Sequence, residues 1–485
     1  MQKSEVRIRM GKSEFTARAS PSPSTRVAQP PSPVSTGHRS PDRSSCPGAC
    51  VAQPPSAVLQ WPALHLLAAR LTAGPARQRA LASAEAEKVF AEFSHVGHRG
   101  PTLRLPARGT RLLETALVAL LAAVAAPRAA AQTATQPHAA PPAQAGALMR
   151  RGAEYLLATQ EQDGGWPGPS RLGISALCVK ALAQTRGIGP EHLAVRRGGD
   201  FVLRSQRDDG GIYSADGLYK SYETSVALSM LIVLKTDRYK DHIARAQQFL
   251  KDQQWDEGEG KSADDEFYGG AGYGSSERPD LSNTQIMLDA LHDSGLPKDD
   301  PAYQKALVFI QRCQMLGESN GLAFAKGSRQ GGFIYSPVAG GESKAGTIGI
   351  DGRPELRCYG SMTYAGFKSM LYAGLTRDDP RVKAALDWIG RYWTLEYNPN
   401  MPEKQSRQGL YYYYHTFARA LAAWGEPTVK DRLGRAHDWR RELVDKLASL
   451  QKPDGSWTND ADRWMEGAPA LTTAYALLAL QAAFP

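Results

Sequence analysis

"QEQDGGWPG" (Gln160–Gly168) and "QKPDGSWTN" (Gln451–Asn459) spell one turn twice, nearly three hundred residues apart. Each places a glutamine at the end of a helical run, an Asp-Gly pair three residues on, and a tryptophan just beyond. Glycine accepts the positive φ that a tight turn needs, which explains the pair. The glutamine amide can bond neighbouring backbone, and the tryptophan can cover it. Gln160, Trp166, Gln451 and Trp457 therefore read as fasteners between helices rather than as catalysts.

Variants of this turn recur between them. "LRSQRDDGGIYS" (Leu203–Ser214) carries it on Gln206, and "LKDQQWDEGEG" (Leu250–Gly260) follows. "FIQRCQ", from Phe309, precedes "QGGFIYSP" after an insert, and "WIGRYWTLEYNPNM", from Trp388, precedes "QGLYYYYHT". Each closes an amphipathic run such as "RRGAEYLLATQ" or "ARAQQFLKDQ", with apolar residues at helical spacing. A second, less charged helix then follows each turn. These six helices align without gaps on Ser175, Ser225, Thr284, Thr363, Thr416 and Thr473. A hydroxyl near a helix start can satisfy orphan amides, and a helix apolar nearly all round is buried. Repetition at roughly 45–80 residues per unit sets the architecture. It predicts an all-α fold, an α6/α6 toroid with an inner ring inside an outer ring over residues 147–485. The inner helix ends then open into a common cavity.

The chain of 485 residues carries a net charge of +9, but its distribution matters more than its sum. Residues 1–131 hold 17 basic and 7 acidic side chains, leaving 41 against 42 in the remainder. The toroid is near neutral, which argues against a nucleic-acid partner. Residues 1–107, rich in Pro, Ser, Ala and Arg, are expected to be a disordered arm or an untranslated leader. Residues 108–131 have the layout of a secretory signal peptide: Arg108 and Arg111, an apolar run from Leu112 to Ala126, and small residues up to Ala131. Export to the periplasm or the cell exterior is the expectation, with 132–146 as a flexible linker. Cys178, Cys313 and Cys358 are too few and too far apart for a disulfide scaffold.

The pattern Gln-x-x-x-Gly-x-Trp closing an outer helix resembles the QW repeat of the squalene–hopene and oxidosqualene cyclases, whose relatives include the protein prenyltransferase β-subunits. The resemblance runs from about Ala147 to Pro485. It implies a cavity for a polyisoprenoid or related apolar lipid, with peripheral membrane contact, and cyclisation or isomerisation as the chemistry. The family's protonating Asp-x-Asp-Asp-Thr segment falls on Asp280, Leu281, Ser282, Asn283 and Thr284. Only the first Asp and the Thr are kept, and Ser282 stands where the proton donor would be. Asp280 and Asn283, with Glu355 and His415 near the same mouth, are the catalytic candidates the resemblance implies. The prenyltransferase branch binds zinc, and Glu355, Cys358 and His415 are the residues that could hold it here; otherwise no cofactor is expected. Tyr268, Tyr359, Tyr364, Tyr414 and Phe417 are the candidates for lining the cavity, since aromatic faces suit isoprenoid chains and stabilise cations. Two other readings stand beside this one. One is a non-catalytic interaction module. The other is a polysaccharide-acting toroid, for which Asp264, Asp265 and Glu266 are the acidic residues to hand.

Overall fold

The computed structural model describes residues 141–274 and 278–485. The chain divides after Arg128, and all the described residues lie in the second unit, Ala129–Pro485. The expected arm, the signal-peptide-like segment and residues 132–140 of the linker fall outside the described residues.

Twelve long helices alternate in the described chain. The outer set is α1 (Pro141–Thr159), α3 (Leu193–Leu203), α5 (Lys240–Asp252), α7 (Pro301–Cys313), α9 (Pro380–Arg391) and α11 (Trp439–Leu450). The inner set is α2 (Arg171–Ala183), α4 (Lys220–Val233), α6 (Leu281–Asp293), α8 (Gly360–Tyr372), α10 (Leu410–Trp424) and α12 (Pro469–Ala483). Each inner helix packs on the next, α2 on α4, α4 on α6, α6 on α8, α8 on α10 and α10 on α12, and α12 packs back on α2. The ring is closed. Its members are buried almost all round: every residue of α2 except Arg171 is out of solvent. The outer helices bury one stripe each, as in α5, where only Ala246, Phe249 and Leu250 are buried.

The toroid begins earlier than Ala147. Pro141–Gly146, read as linker, is the first turn and a half of α1, where proline is tolerated at the start and Ala145 is fully buried.

The repeated turn works as a joint. Gln160 Nε2 donates to Gly164 O in its own turn (2.9 Å) and to Ala194 O at the start of the next outer helix (2.8 Å). Gln451 does the same with Gly455 O (2.9 Å) and Leu148 O (3.0 Å), joining the last hairpin to the first. Gln254 and Gln314, which the sequence reading passed over, make the same pairs of bonds to Gly269 O and Ala302 O, and to Gly331 O and Arg381 O. Gln206 keeps the bond to its own turn, through Gly210 O, and meets the next helix through His242. The fifth joint has no glutamine. There the hairpin β1 (Thr428–Lys430) and β2 (Ala436–Asp438) comes against Gly390. Trp166 and Trp457 are fully buried, and their indole N–H groups donate to Leu156 O and Leu447 O, holding each turn against its own outer helix.

The aligned hydroxyls serve these joints, not the orphan amides of their own helices. Ser175, Thr284, Thr363 and Thr473 accept from the backbone N–H of Trp166, Ala271, Phe333 and Trp457. In the second hairpin the acceptor is Thr224, taking Ile212 N at 3.0 Å, and not its neighbour Ser225. Ser225 turns back to Ser221 O, and Thr416 bonds only within α10.

Candidate functional site

All six inner helices deliver side chains from their first two turns to one hollow. Its wall is Ile174 of α2, Tyr222 of α4, Ser282 and Ile286 of α6, Ser361 and Met362 of α8, Tyr412 of α10, and Leu471 and Tyr475 of α12. Connecting segments add Ser170, Tyr219, Tyr273, Tyr335, Tyr359, Gly409 and the run Trp464–Glu466. The cavity measures about 100 Å³. Seven tyrosines face it, and several satisfy their hydroxyls locally. Tyr222 and Tyr475 bond each other, Tyr412 meets Ser282 and takes Gln285 Nε2 at 3.0 Å, and Tyr335 bonds Asp280.

Of the five aromatic residues singled out in the sequence, Tyr359 lines this cavity and the other four do not. Tyr414 turns outward to donate to Leu395 O, and Phe417 packs between the rings on Trp393 and Trp439. Tyr364 packs on Tyr413 and Phe417, and Tyr268 bonds Glu257 in an outer loop. Consecutive residues on a helix point about 100° apart, so of the four tyrosines opening α10 only Tyr412 reaches the hollow. Tyr222 and Tyr475 were missed because nothing in the sequence shows which face of a wholly buried helix meets the axis. Trp464, Met465 and Glu466 were missed because they lie in a loop that the repeat does not predict.

Asp280 caps α6. Its Oδ1 accepts Asn283 N (2.9 Å) and its Oδ2 accepts Asn283 Nδ2 (2.7 Å). Burial raises its pKa to about 6 against the pull of these bonds. Asp280 and Asn283 sit behind Tyr273, Tyr335 and Ser282 and are not themselves wall residues. Glu466 is. It is 1 % exposed, accepts Tyr412 N (2.8 Å) and Asn459 Nδ2 (2.7 Å), and desolvation raises its pKa to about 7. The two residues before it, Trp464 and Met465, have φ of 58° and 66°. Such backbone is costly for non-glycine residues and gathers at functional sites.

His415 lies one turn deeper than Tyr412 and lines a second, smaller cavity of about 30 Å³ with Lys180, Asp289, Tyr222, Tyr412 and Tyr475. It stacks on Tyr475 with ring centroids 5.6 Å apart, and burial holds it neutral, well below the usual histidine range. It therefore does not share the upper cavity. Glu355 is further away, on the strand Arg353–Leu356, where it accepts Ser328 Oγ and Gln330 Nε2. Glu355, Cys358 and His415 do not converge, and among the described residues no three metal-ligating side chains do. Each is committed to a different layer: a surface hairpin, a buried position before α8, and the lumen.

The lumen below holds charge, where an apolar interior was expected. Lys368 Nζ bonds Asp289 Oδ2 (2.5 Å) and Gln285 Oε1 (2.7 Å). Arg419 pairs with Asp293 (3.1 Å), and Lys180 reaches Asp293 at 3.5 Å. Burial lowers Lys368 to about 8, while the surrounding cations hold Asp293 well below the carboxylate range. Three cations meet two carboxylates here, so attraction across short distances offsets a large desolvation cost.

Residues 167–315 match the model of the squalene-hopene cyclase C-terminal domain. The resemblance is to the terpenoid cyclase superfamily. The matched stretch is under a third of the chain and spans α2 to the end of α7. No curated protein matches. Among solved structures, a protein from Actinoplanes is 19 % identical, covering 70 % of this chain and 100 % of its own, with a TM-score of 0.43. The type II terpene cyclase MstE from Scytonema, without ligand, is 12 % identical, covering 70 % and 98 %, with a TM-score of 0.45. A variant of MstE in complex with geranylgeranyl dihydroxybenzoate is 13 % identical, covering 71 % and 98 %, with a TM-score of 0.46. The terpenoid cyclase-like reading of the fold rests on the closed ring and its joints, and the family match agrees with it.

Proposed function

We propose that this protein binds an isoprenoid-type apolar lipid at the mouth of its toroid, seating one end of the chain among the tyrosines. The observation that carries this reading is the cavity wall: all six inner helices present Ile174, Ile286, Met362, Leu471 and the tyrosine faces to a single hollow. Apolar walls with a few placed polar groups are the usual form of a small-molecule site. At about 100 Å³ the hollow is well short of the roughly 300 Å³ at which drug-sized pockets begin. It takes an end of a chain, with the remainder lying across the rim beside Trp464 and Met465. The charged lumen below forbids deeper apolar entry, since an inserted chain would strip partners from Lys368 and Asp289.

The test is organic extraction of the purified protein followed by mass spectrometry, with direct binding of geranylgeraniol and squalene. A near-stoichiometric prenyl lipid, or saturable binding of either probe, is expected. No extracted apolar ligand together with no binding of either probe would overturn the reading.

A further inference from the structure

Three buried carboxylates gather where the inner helices begin: Glu223, Asp280 and Glu466, each 3 % exposed or less. Helix N-termini favour negative charge, so a supporting role suits all three. All three serve it. Glu223 accepts Ser214 N, Ser214 Oγ and Ser170 Oγ, and Asp280 spends both oxygens on Asn283 and takes Tyr335 as well. Glu466 differs in place. Among the described residues that wall the cavity it is the only ionisable group other than the tyrosine phenols. It is carried there by the strained Trp464–Met465 backbone, and Gly409, at φ 65°, leaves room for the Trp464 ring, which a Cβ would meet at 3.1 Å. The Glu466 carboxylate accepts Tyr412 N and Asn459 Nδ2, and the backbone N–H groups of Tyr411 and Leu410 bond it as well, so it caps α10 while its side chain forms part of the cavity wall.

A carboxylate set among aromatic faces is a site for positive charge. Ring faces attract cations by their quadrupole, most strongly when water is excluded, and a carboxylate supplies the counter-charge. No lysine or arginine is among the described wall residues, although Lys344 lies over the Tyr335 ring and Arg463 over the Trp464 ring. We propose that Glu466 is the ionisable residue that meets the ligand in this cavity, pairing with a positive centre on an apolar chain held between the tyrosines. The inference rests on the reading above, that the cavity binds an apolar chain, and adds the chemical class of the chain's end. The groups facing Glu466 are Tyr411, Tyr412 and Tyr414 of α10 and Tyr475 of α12, whose phenols burial keeps neutral. Asp460 and Arg463 stand on its own loop and Arg407 before α10, while Asp280 lies across the cavity and Glu223 beyond Tyr222.

The experiment compares N,N-dimethyldodecylamine, cationic throughout the range used, with neutral dodecanol by calorimetry at pH 5.5 and 8.5. In the unaltered protein the amine binds about tenfold more tightly at pH 8.5, as Glu466 ionises, and dodecanol binds equally at both. Glu466→Gln abolishes the pH effect on the amine, whereas Asp280→Asn retains it. An amine affinity independent of pH in the unaltered protein overturns the inference even if neither variant folds. So does a pH effect that survives Glu466→Gln or vanishes in Asp280→Asn. Failure of dodecanol to bind at all strikes the apolar-chain reading itself, and the inference falls with it.

Discussion

Glu466 keeps its proton to about pH 7 in the fold, while an unfolded chain releases it near the ordinary glutamate value. Between those two points the folded state holds the extra proton. Its contribution to stability therefore falls as pH rises across this window and is level above it. Replacing it by glutamine removes that slope. Chemical denaturation from about pH 4 to pH 8 should show the variant gaining on the parent by on the order of 3 kcal/mol; a constant difference would mean that Glu466 titrates normally. Lys368 makes the opposite case, a buried cation whose partner is left behind on removal. Lys368→Met should cost about 3 kcal/mol, and adding Asp289→Leu should return most of it, because an apolar pair replaces a carboxylate left with the more distant Arg419 alone. A loss under about 0.5 kcal/mol for the single change would show that Arg419, 3.7 Å from Asp289, suffices as its partner. None of this was legible in the sequence. Lys180 and Lys368 stand inside runs that read as apolar, and only ring closure brings them face to face with Asp289 and Asp293.

At the scale of the element, the joint recurs from hairpin to hairpin. Gln160 and Gln451 bridge neighbouring hairpins, Trp166 and Trp457 hold the turn to its own helix, and Gln254 and Gln314 make the same bridge in turns of different spelling. What bonds to what could not be read: Thr224 displaces Ser225 because a buried helix can rotate by one residue without changing its composition. The glycines of the joint also carry a packing demand. Gly269, at φ 81°, faces the next outer helix so closely that a Cβ would lie 1.8 Å from Lys305 O; Gly187, at φ 88°, has nothing within 4 Å. Gly187→Ala should therefore cost only the backbone strain, about 1 kcal/mol, and Gly269→Ala at least twice that, since α7 must also move. Thermal melts of the two variants make the comparison, and equal losses would show that the joint yields freely. Gln254→Leu leaves Gly269 O and Ala302 O without their donor and should cost about 2 kcal/mol.

At the scale of the whole molecule, the closed ring was legible because repetition survives divergence. Six pairs of one amphipathic and one apolar helix have few ways to bury their faces, and a double ring is the one that leaves no edge. The convergence of six helix starts on one cavity followed from that geometry. Which aromatic side chains line it did not, because Tyr364, Tyr414 and Phe417 differ from Tyr222, Tyr412 and Tyr475 in direction, not in kind. The direct measurement is photolabelling with a benzophenone-bearing geranylgeranyl probe, followed by peptide mapping. Labels concentrated on the segments that carry Tyr222, Tyr412 and Tyr475, and suppressed by excess geranylgeraniol, are the predicted result. Labels confined to the outer helices, or unaffected by the competitor, would contradict the claim that an apolar chain lodges at the mouth of the toroid.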